Sequence, residues 1–417
     1  MISLIFVLAA LIFLGCPVFL VIGALALIAF RSVGLDSSLI MVELYRLATL
    51  PALIAIPLFT FSGYLLAKSK APQRLLNLAN AFFGWIPGGV AIVTLVSCAL
   101  FTAFTGASGV TIIALGGLLY PMLIKEEYSE KFVLGLLTTT GSLGLLFPPS
   151  LPIILYGLIA KVSIDKLFLA SLVPGIFLIV VLSFYGFLQG TKNFKKPQPF
   201  SYKRLLGAVK EAGWEIPLPF LIIGGIYGGI FTATEASSVM AFYVVVAEVF
   251  IYKDISLKDF PTIIVESMVL VGAIMVVMGL SLGLTNYLID EQIPMRMFEW
   301  IHRFIESKTI FLIFLNIFLL IMNMIEMFSA IIIVVPLIVP VAIQYGIDPI
   351  HLGVIFLLNL EIGYMTAPFG LNLFLSSLRF GKPVTQIYRA TLPFWLILMV
   401  VLVCITYIPG ISLFFVK

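Results

Sequence analysis

Gly141-Ser142-Leu143-Gly144-Leu145-Leu146-Phe147-Pro148-Pro149-Ser150 lies inside an apolar run of about thirty residues between Lys131 and Lys161. A run of that length can cross a bilayer, whose hydrocarbon core takes about 20 helical residues. The two prolines and two glycines inside it remove backbone donors and open the i→i−4 ladder. Unpaired backbone at membrane depth is tolerated only where it is buried in protein or lines a cavity. The segment therefore predicts a discontinuous helix. It has a counterpart in Gly363-Tyr364-Met365-Thr366-Ala367-Pro368-Phe369-Gly370-Leu371-Asn372, at a displacement of 219 positions.

The same displacement places Pro121 on Pro340, Gly144 on Gly363, Pro149 on Pro368 and Pro174 on Pro393. Ser62 falls on Ser281, and Ile112-Ile113 on Ile331-Ile332, without a gap. Ile2–Phe30 reads as a first span and overlays Leu221–Val249. The sequence thus divides into a first repeat over 1–191, a basic linker over 192–211 carrying Lys192, Lys195, Lys196, Lys203, Arg204 and Lys210, and a second repeat over 212–417. A second polar break precedes the first in each half: Thr105-Gly106-Ala107-Ser108-Gly109, and Asn323 to Ser329 with Glu326. A hairpin and a broken helix are expected around 97–160 and again around 312–378.

Basic residues gather on the cytoplasmic side of membrane proteins. The linker is the most basic loop, and the basic break of Lys68, Lys70 and Arg74 has a repeat mate that carries Asp290 and Glu291 instead. Arg31 follows the first span with no basic residue before it. These charges predict inverted halves, a cytoplasmic linker and both termini periplasmic. Inverted repeats with broken helices are a common architecture of secondary transporters.

The composition agrees. Of 417 residues, 62% are hydrophobic and 11% charged, with a mean hydropathy of +1.19. A soluble domain has about 25% charged residues. A water-soluble enzyme and a nucleic-acid binder are excluded, and the long apolar runs exclude a β-barrel, whose segments are short and alternating. Cys16, Cys98 and Cys404 lie in apolar runs with no CxxC pair, and two histidines are too few for a metal centre. Met1 opens directly into an apolar run with no basic segment or A-x-A site, which reads as a span rather than a cleaved leader. No GxxxxGK[ST] loop, HExxH or paired midplane aspartates appear, so neither ATP-driven transport nor a membrane enzyme is expected.

Freed carbonyls together with Ser, Thr and Asn oxygens suit a hard monovalent cation, and half-helix N-termini suit an anion. Thr105 and Ser150 belong to the two breaks of one half and are expected to line a solute site, with Ser108, Glu326 and Thr366 close to Na⁺. Carboxylates inside the membrane are functional candidates by default. Glu326 is the sharpest, since it lies in a break. Thr232-x-x-Glu235 reads instead as a helix capping box. Glu361 has no assigned role, and Glu248 and Glu266 lie nearer the span ends. Arg379, Lys382 and Arg389 read as cytoplasmic anchors and His302 as interfacial.

Ala55-Ile56-Pro57-Leu58-Phe59 with Ser62-Gly63, Trp85-Ile86-Pro87-Gly88-Gly89 and the Thr105–Gly109 break form an ordered series. It continues through Gly144–Ser150, Gly228–Ala236, Tyr345–Gly353, Asn359 and Ile362–Phe374. In these the chain resembles the large membrane subunit of the tripartite ATP-independent periplasmic (TRAP) transporters, of DctM type, over nearly its whole length. The resemblance implies an all-α polytopic membrane protein with two inverted repeats, re-entrant hairpins and discontinuous helices, in an elevator-type ion-transporter fold of the bacterial inner membrane. It implies uptake of a small organic acid (a dicarboxylate, sialic acid or similar) driven by Na⁺ at two or more sites, with no organic cofactor. The implied partners are a small four-helix membrane subunit of DctQ type in trans and a periplasmic binding protein. The implied substrate positions are Thr105, Gly106, Pro149 and Ser150, and the implied Na⁺ positions are Ser108, Gly109, Gly144, Pro148, Glu326, Ser329, Thr366, Gly370 and Asn372.

The family usually has Asp at Glu326, Pro at Ala233 and Ala367, and a Ser-Gly-Ser-Ser segment where this chain has Thr105-Gly106-Ala107-Ser108. An alternative is a self-sufficient cation-coupled anion transporter or antiporter that needs no binding protein.

Overall fold

The computed structural model describes residues 18–34, 36, 38–86, 88–190, 200–322, 327–368 and 370–416. The stretch before Val18, with Cys16, and residues 323–326 of the Asn323–Ser329 break lie outside the described residues, as do residues 191–199, which include the first part of the linker. The described residues are helical with no strand among them, and six helices are long and apolar enough to cross a membrane.

The repeat is visible helix by helix. Ser108–Lys125 matches Met327–Gln344 at both ends under the 219-residue displacement. Glu130–Thr140 and Leu151–Ala160, a span bent by 45° at its break, match Pro349–Gly363 and Leu371–Phe380. Ile164–Gly190 matches Val384–Tyr407, and Gly89–Thr105 matches Lys308–Met322. The Pro148-Pro149 and Ala367-Pro368 bonds, equivalent in the two halves, are both cis.

These helices start and stop where local chemistry dictates. Ser129 Oγ accepts from Phe132 N–H, and Asp348 accepts from the N–H groups of Ile350 and His351. Such caps satisfy donors that the first helical turn leaves open. Thr232 and Glu235 form a reciprocal capping box that opens Ala233–Val245. That accounts for Glu235 as a structural group, as its spacing predicts.

The stretch 221–249, read from sequence as one span, is two antiparallel helices, Pro217–Tyr227 and Ala233–Val245, the latter continuing as a π-turn to Ile251. Glu215 before the first and Glu248 near the end of the second both bond to Arg74. A continuous helix would hold them about 50 Å apart at 1.5 Å per residue. The chain therefore reverses, at Gly228-Gly229, where Gly229 has φ +67°. Uniform hydrophobicity hid the reversal, because apolar content says nothing of direction.

Arg74, counted in the sequence with the basic break Lys68–Arg74, lies on the amphipathic helix Ala71–Phe83. It is buried, binding Glu215, Glu248 (2.8 Å) and Asp254, with the Tyr252 ring 3.8 Å from its guanidinium carbon. Burial opposes its charge, but Asp254, Glu248 and Glu215 outweigh that and raise its pKa. Lys68 pairs with Glu266 at 3.0 Å and Lys70 with Asp254 at 3.7 Å. The basic break of the first half is thus neutralised by carboxylates of the second.

The two halves interleave. Gly135 allows Glu130–Thr140 to approach Val384–Tyr407 so closely that a Cβ there would stand 2.2 Å from Ala390 O. Tyr156 Oη donates to Pro349 O at 2.8 Å. Ile164–Gly190 and Val384–Tyr407 pack on the hairpin and broken-helix elements of both halves, while Phe260–Asp290 packs on Val18–Ser32 and Ala55–Lys68.

Candidate functional site

Gly89–Thr105 ends at Gly106, whose φ of +66° and N–H bond to Thr102 O (2.8 Å) close the helix before Ser108–Lys125 begins. Glycine adopts this left-handed conformation at little cost. A Cβ on Gly106 would lie 2.8 Å from Leu151 Cγ. The turn therefore rests on the residue that follows Ser150, and the structure brings the Thr105–Gly106 and Pro149–Ser150 segments together. Thr102 ties the end of its helix to the next helix and to the start of the Gly141–Ser150 break: its Oγ1 lies 2.6 Å from Thr111 Oγ1 and donates to Gly141 O at 3.0 Å. Gly144 is a close approach as well, since a Cβ would stand 2.4 Å from Ala103 N and Ala99 O.

Two features of this junction remain chemically open. The hydroxyls of Thr105 and Ser150 are buried, and neither has a hydrogen-bond partner. Ser150 stands at the N-cap of Leu151–Ala160 without making a side-chain cap, and Ala107 precedes Ser108–Lys125 with none to offer. Two helix N-termini and two unspent hydroxyls therefore meet, a combination of donors and partial positive charge that suits an anionic group. Pro148 and Pro149 are buried beside them. Ser108 is buried, and Gly109 lies against Leu375.

In the second half, Leu371–Phe380 starts after Gly370 without a side-chain cap, and Gly370 N–H bonds to Thr366 O at 2.9 Å. Thr366 Oγ1 accepts from Trp395 Nε1 at 3.0 Å and donates to Ile362 O at 2.8 Å. Asn372 crosses to the first half, with Nδ2 donating to Thr138 O and Ser142 Oγ, both at 3.2 Å, while its buried Oδ1 has no partner. Thr138 Oγ1 bonds Ser376 Oγ at 2.9 Å. Ser329 is buried on Met327–Gln344. Glu326 lies outside the described residues.

A second polar connection was not anticipated. Asn359 Nδ2 donates to Asn316 Oδ1 at 2.7 Å, and Asn316 Nδ2 to Thr406 Oγ1 at 3.1 Å. Single asparagines in apolar helices were the available signal, and burial in hydrocarbon makes such amides seek each other.

The chain matches the family model described as the tripartite ATP-independent periplasmic transporter, DctM component, over residues 5–411. The chain belongs to this family. It is 36% identical over 94% of its length to the C4-dicarboxylate TRAP transporter large permease protein DctM of Pseudomonas aeruginosa, covering 92% of that protein. It is 33% identical over 87% of its length to the isethionate TRAP transporter permease protein DctMQ of Oleidesulfovibrio alaskensis, and spans 58% of that longer chain. The crystal structure of the YdaH transporter of Alcanivorax borkumensis matches with a TM-score of 0.63 at 12% identity, covering 89% of this chain and 87% of that one. That likeness concerns the fold. As a DctM-family chain, the protein is a multi-pass component of a TRAP transporter.

Proposed function

We propose that this DctM-family chain imports a small organic acid down a Na⁺ gradient, as the large membrane subunit of a system supplied by a periplasmic binding protein and completed by a small membrane subunit in trans. The observation that carries the solute reading is the pair of unspent hydroxyls, Thr105 and Ser150, beside two uncapped helix N-termini. The names of the relatives, which specify a C4-dicarboxylate and isethionate, support a small anion.

Carboxylate recognition here falls to Thr105, Gly106, Pro149 and Ser150. The oxygen-rich neighbours Ser108, Gly109, Gly144 and Pro148 on one side, and Glu326, Ser329, Thr366, Gly370 and Asn372 on the other, serve Na⁺. The hairpins and broken helices, with Ile164–Gly190 and Val384–Tyr407 packed on them, move as one body against the other spans, in the manner of an elevator. The end of the molecule that gathers Arg74, Lys253, Arg204 and Lys382 faces the cytoplasm of a bacterial inner membrane, and the C-terminus faces the periplasm.

The test is uptake into proteoliposomes holding both membrane subunits, with loaded binding protein outside and C4-dicarboxylates or isethionate as solutes. Uptake should require inward Na⁺ and no ATP. Equal uptake with K⁺ in place of Na⁺, without a proton gradient, would overturn the coupling.

A further inference from the structure

Glu361 is alone among the described residues in having both carboxylate oxygens buried with no hydrogen-bond partner. It is fully buried, near the end of Pro349–Gly363. The repeat explains why nothing meets it. Under the 219-residue displacement Glu361 is the mate of Ser142, and Asn372 is the mate of Ile153. Ser142 and Asn372 bond each other at 3.2 Å. In the mirrored place the amide is replaced by the fully buried hydrocarbon of Ile153.

An ionised carboxylate without water, donor or cation is far too costly to persist in such a place. The charged and titratable groups on the surrounding elements are committed elsewhere. Lys308 donates to Gly346 O, Tyr156 to Pro349 O and Tyr407 to Thr309 O. Asp165 and Lys166 stand in the first turn of Ile164–Gly190, and Tyr388 and Arg389 in the second turn of Val384–Tyr407. Tyr185 packs on Phe132 and Phe394, and Cys404 lies near the far end of its helix. On its own helix, His351 is about 15 Å away along the axis and is held by Ser412 and Thr406 O. Met327–Gln344, Leu143–Leu146 and Pro409–Leu413 carry no titratable side chain.

We infer that Glu361 is a proton site of the transport cycle: the carboxylate binds one proton to become a neutral acid when the second break closes over it, and returns that proton to water when the break opens. That break, Gly363–Asn372, begins two residues after Glu361, so its rearrangement is what admits water. A proton needs no set of oxygen ligands, and no hydroxyl or amide reaches Glu361 to help hold Na⁺. This goes beyond the proposed Na⁺ coupling and rests on the transporter reading only for its place in the cycle.

The experiment has two arms on the purified two-subunit complex. Infrared difference spectra across neutral pH should show the carbonyl stretch of a protonated carboxyl, lost in Glu361→Gln and restored at a shifted frequency in Glu361→Asp. In proteoliposomes with a trapped pH dye and an imposed Na⁺ gradient, solute should move protons in the parent. In Glu361→Gln that proton signal should fall at least tenfold relative to solute uptake. An unchanged infrared band in Glu361→Gln, a band that responds to Na⁺ but not to pH, or equal proton movement per solute in parent and variant would each overturn the assignment. The infrared arm needs no transport, so its outcome is separable from failure of the uptake reading.

Discussion

Asn372 Nδ2 donates to Ser142 Oγ at 3.2 Å, so the broken helix of the second repeat is tied directly to that of the first. Both residues are fully buried. The two breaks are therefore one polar unit, and a displacement of either acts on the other.

Asn372→Ala removes a donor to two acceptors and leaves Thr138 O and Ser142 Oγ without it. A buried group that loses its partner costs about 1–3 kcal/mol. The expected result is a lowered melting temperature of the solubilised complex and weakened Na⁺ activation of uptake. A double-mutant cycle with Ser142→Ala should give a coupling of at least about 0.5 kcal/mol, as expected for residues in contact. Strict additivity would show that the bond carries no weight.

Thr105→Val and Ser150→Ala should behave differently. Neither hydroxyl bonds to protein, so thermal stability should hold or rise slightly. Where the missing partner is a charged solute, each loss costs about 1.5–3 kcal/mol, roughly ten- to a hundredfold in half-saturation. Uptake measured against solute concentration checks this. Half-saturation unchanged in both variants would place the solute elsewhere.

The sequence makes the breaks legible because Gly and Pro act locally, and their effect on the backbone needs no knowledge of the fold. The repeat is legible for the same reason, and so is the Thr232–Glu235 box. Contacts between distant segments are not. Nothing in Arg74 itself announces three carboxylates some 140 to 180 positions away, and counting it in a basic break leaves out that pairing cancels charge. Asn372 was read with its own break, whereas its amide serves the other half. The reversal at Gly228-Gly229 was also missed, although its two glycines are a turn signal, because unbroken apolar content on either side masked it.

Arg74 is the residue whose loss should harm folding most. Arg74→Ala would leave Glu215, Glu248 and Asp254 facing one another without their cation. Breaking a buried pair by removing one partner costs about 3–5 kcal/mol. Arg74→Lys keeps a charge but not the planar fork that reaches three acceptors, so its stability should fall in between. Yield and melting temperature in detergent report the order parent, Lys, Ala. Adding Glu248→Gln to Arg74→Ala should recover part of the loss, since it removes one stranded charge. An Ala variant as stable as the parent would contradict the buried network.

The reversal between Pro217–Tyr227 and Ala233–Val245 has a direct consequence for sidedness. If Glu215 and Glu248 share Arg74, then Tyr202 and Lys253 lie at one end of the molecule and Ile230 at the other. All three are exposed, so cysteines placed there can be reached by reagent. In a chain whose Cys16, Cys98 and Cys404 have been replaced, a membrane-impermeant maleimide added outside intact cells should label Ile230→Cys. It should label Tyr202→Cys and Lys253→Cys only after the membrane is opened. A single span over 221–249 predicts another pattern, with Tyr202 and Lys253 on opposite sides and Ile230 buried in lipid at mid-depth. Labelling of Tyr202→Cys and Lys253→Cys from opposite faces would restore that single span and undo the hairpin. The basic end is expected inside because Lys and Arg are retained on the cytoplasmic face, so labelling of all three from outside would leave the hairpin unproven and refute the orientation.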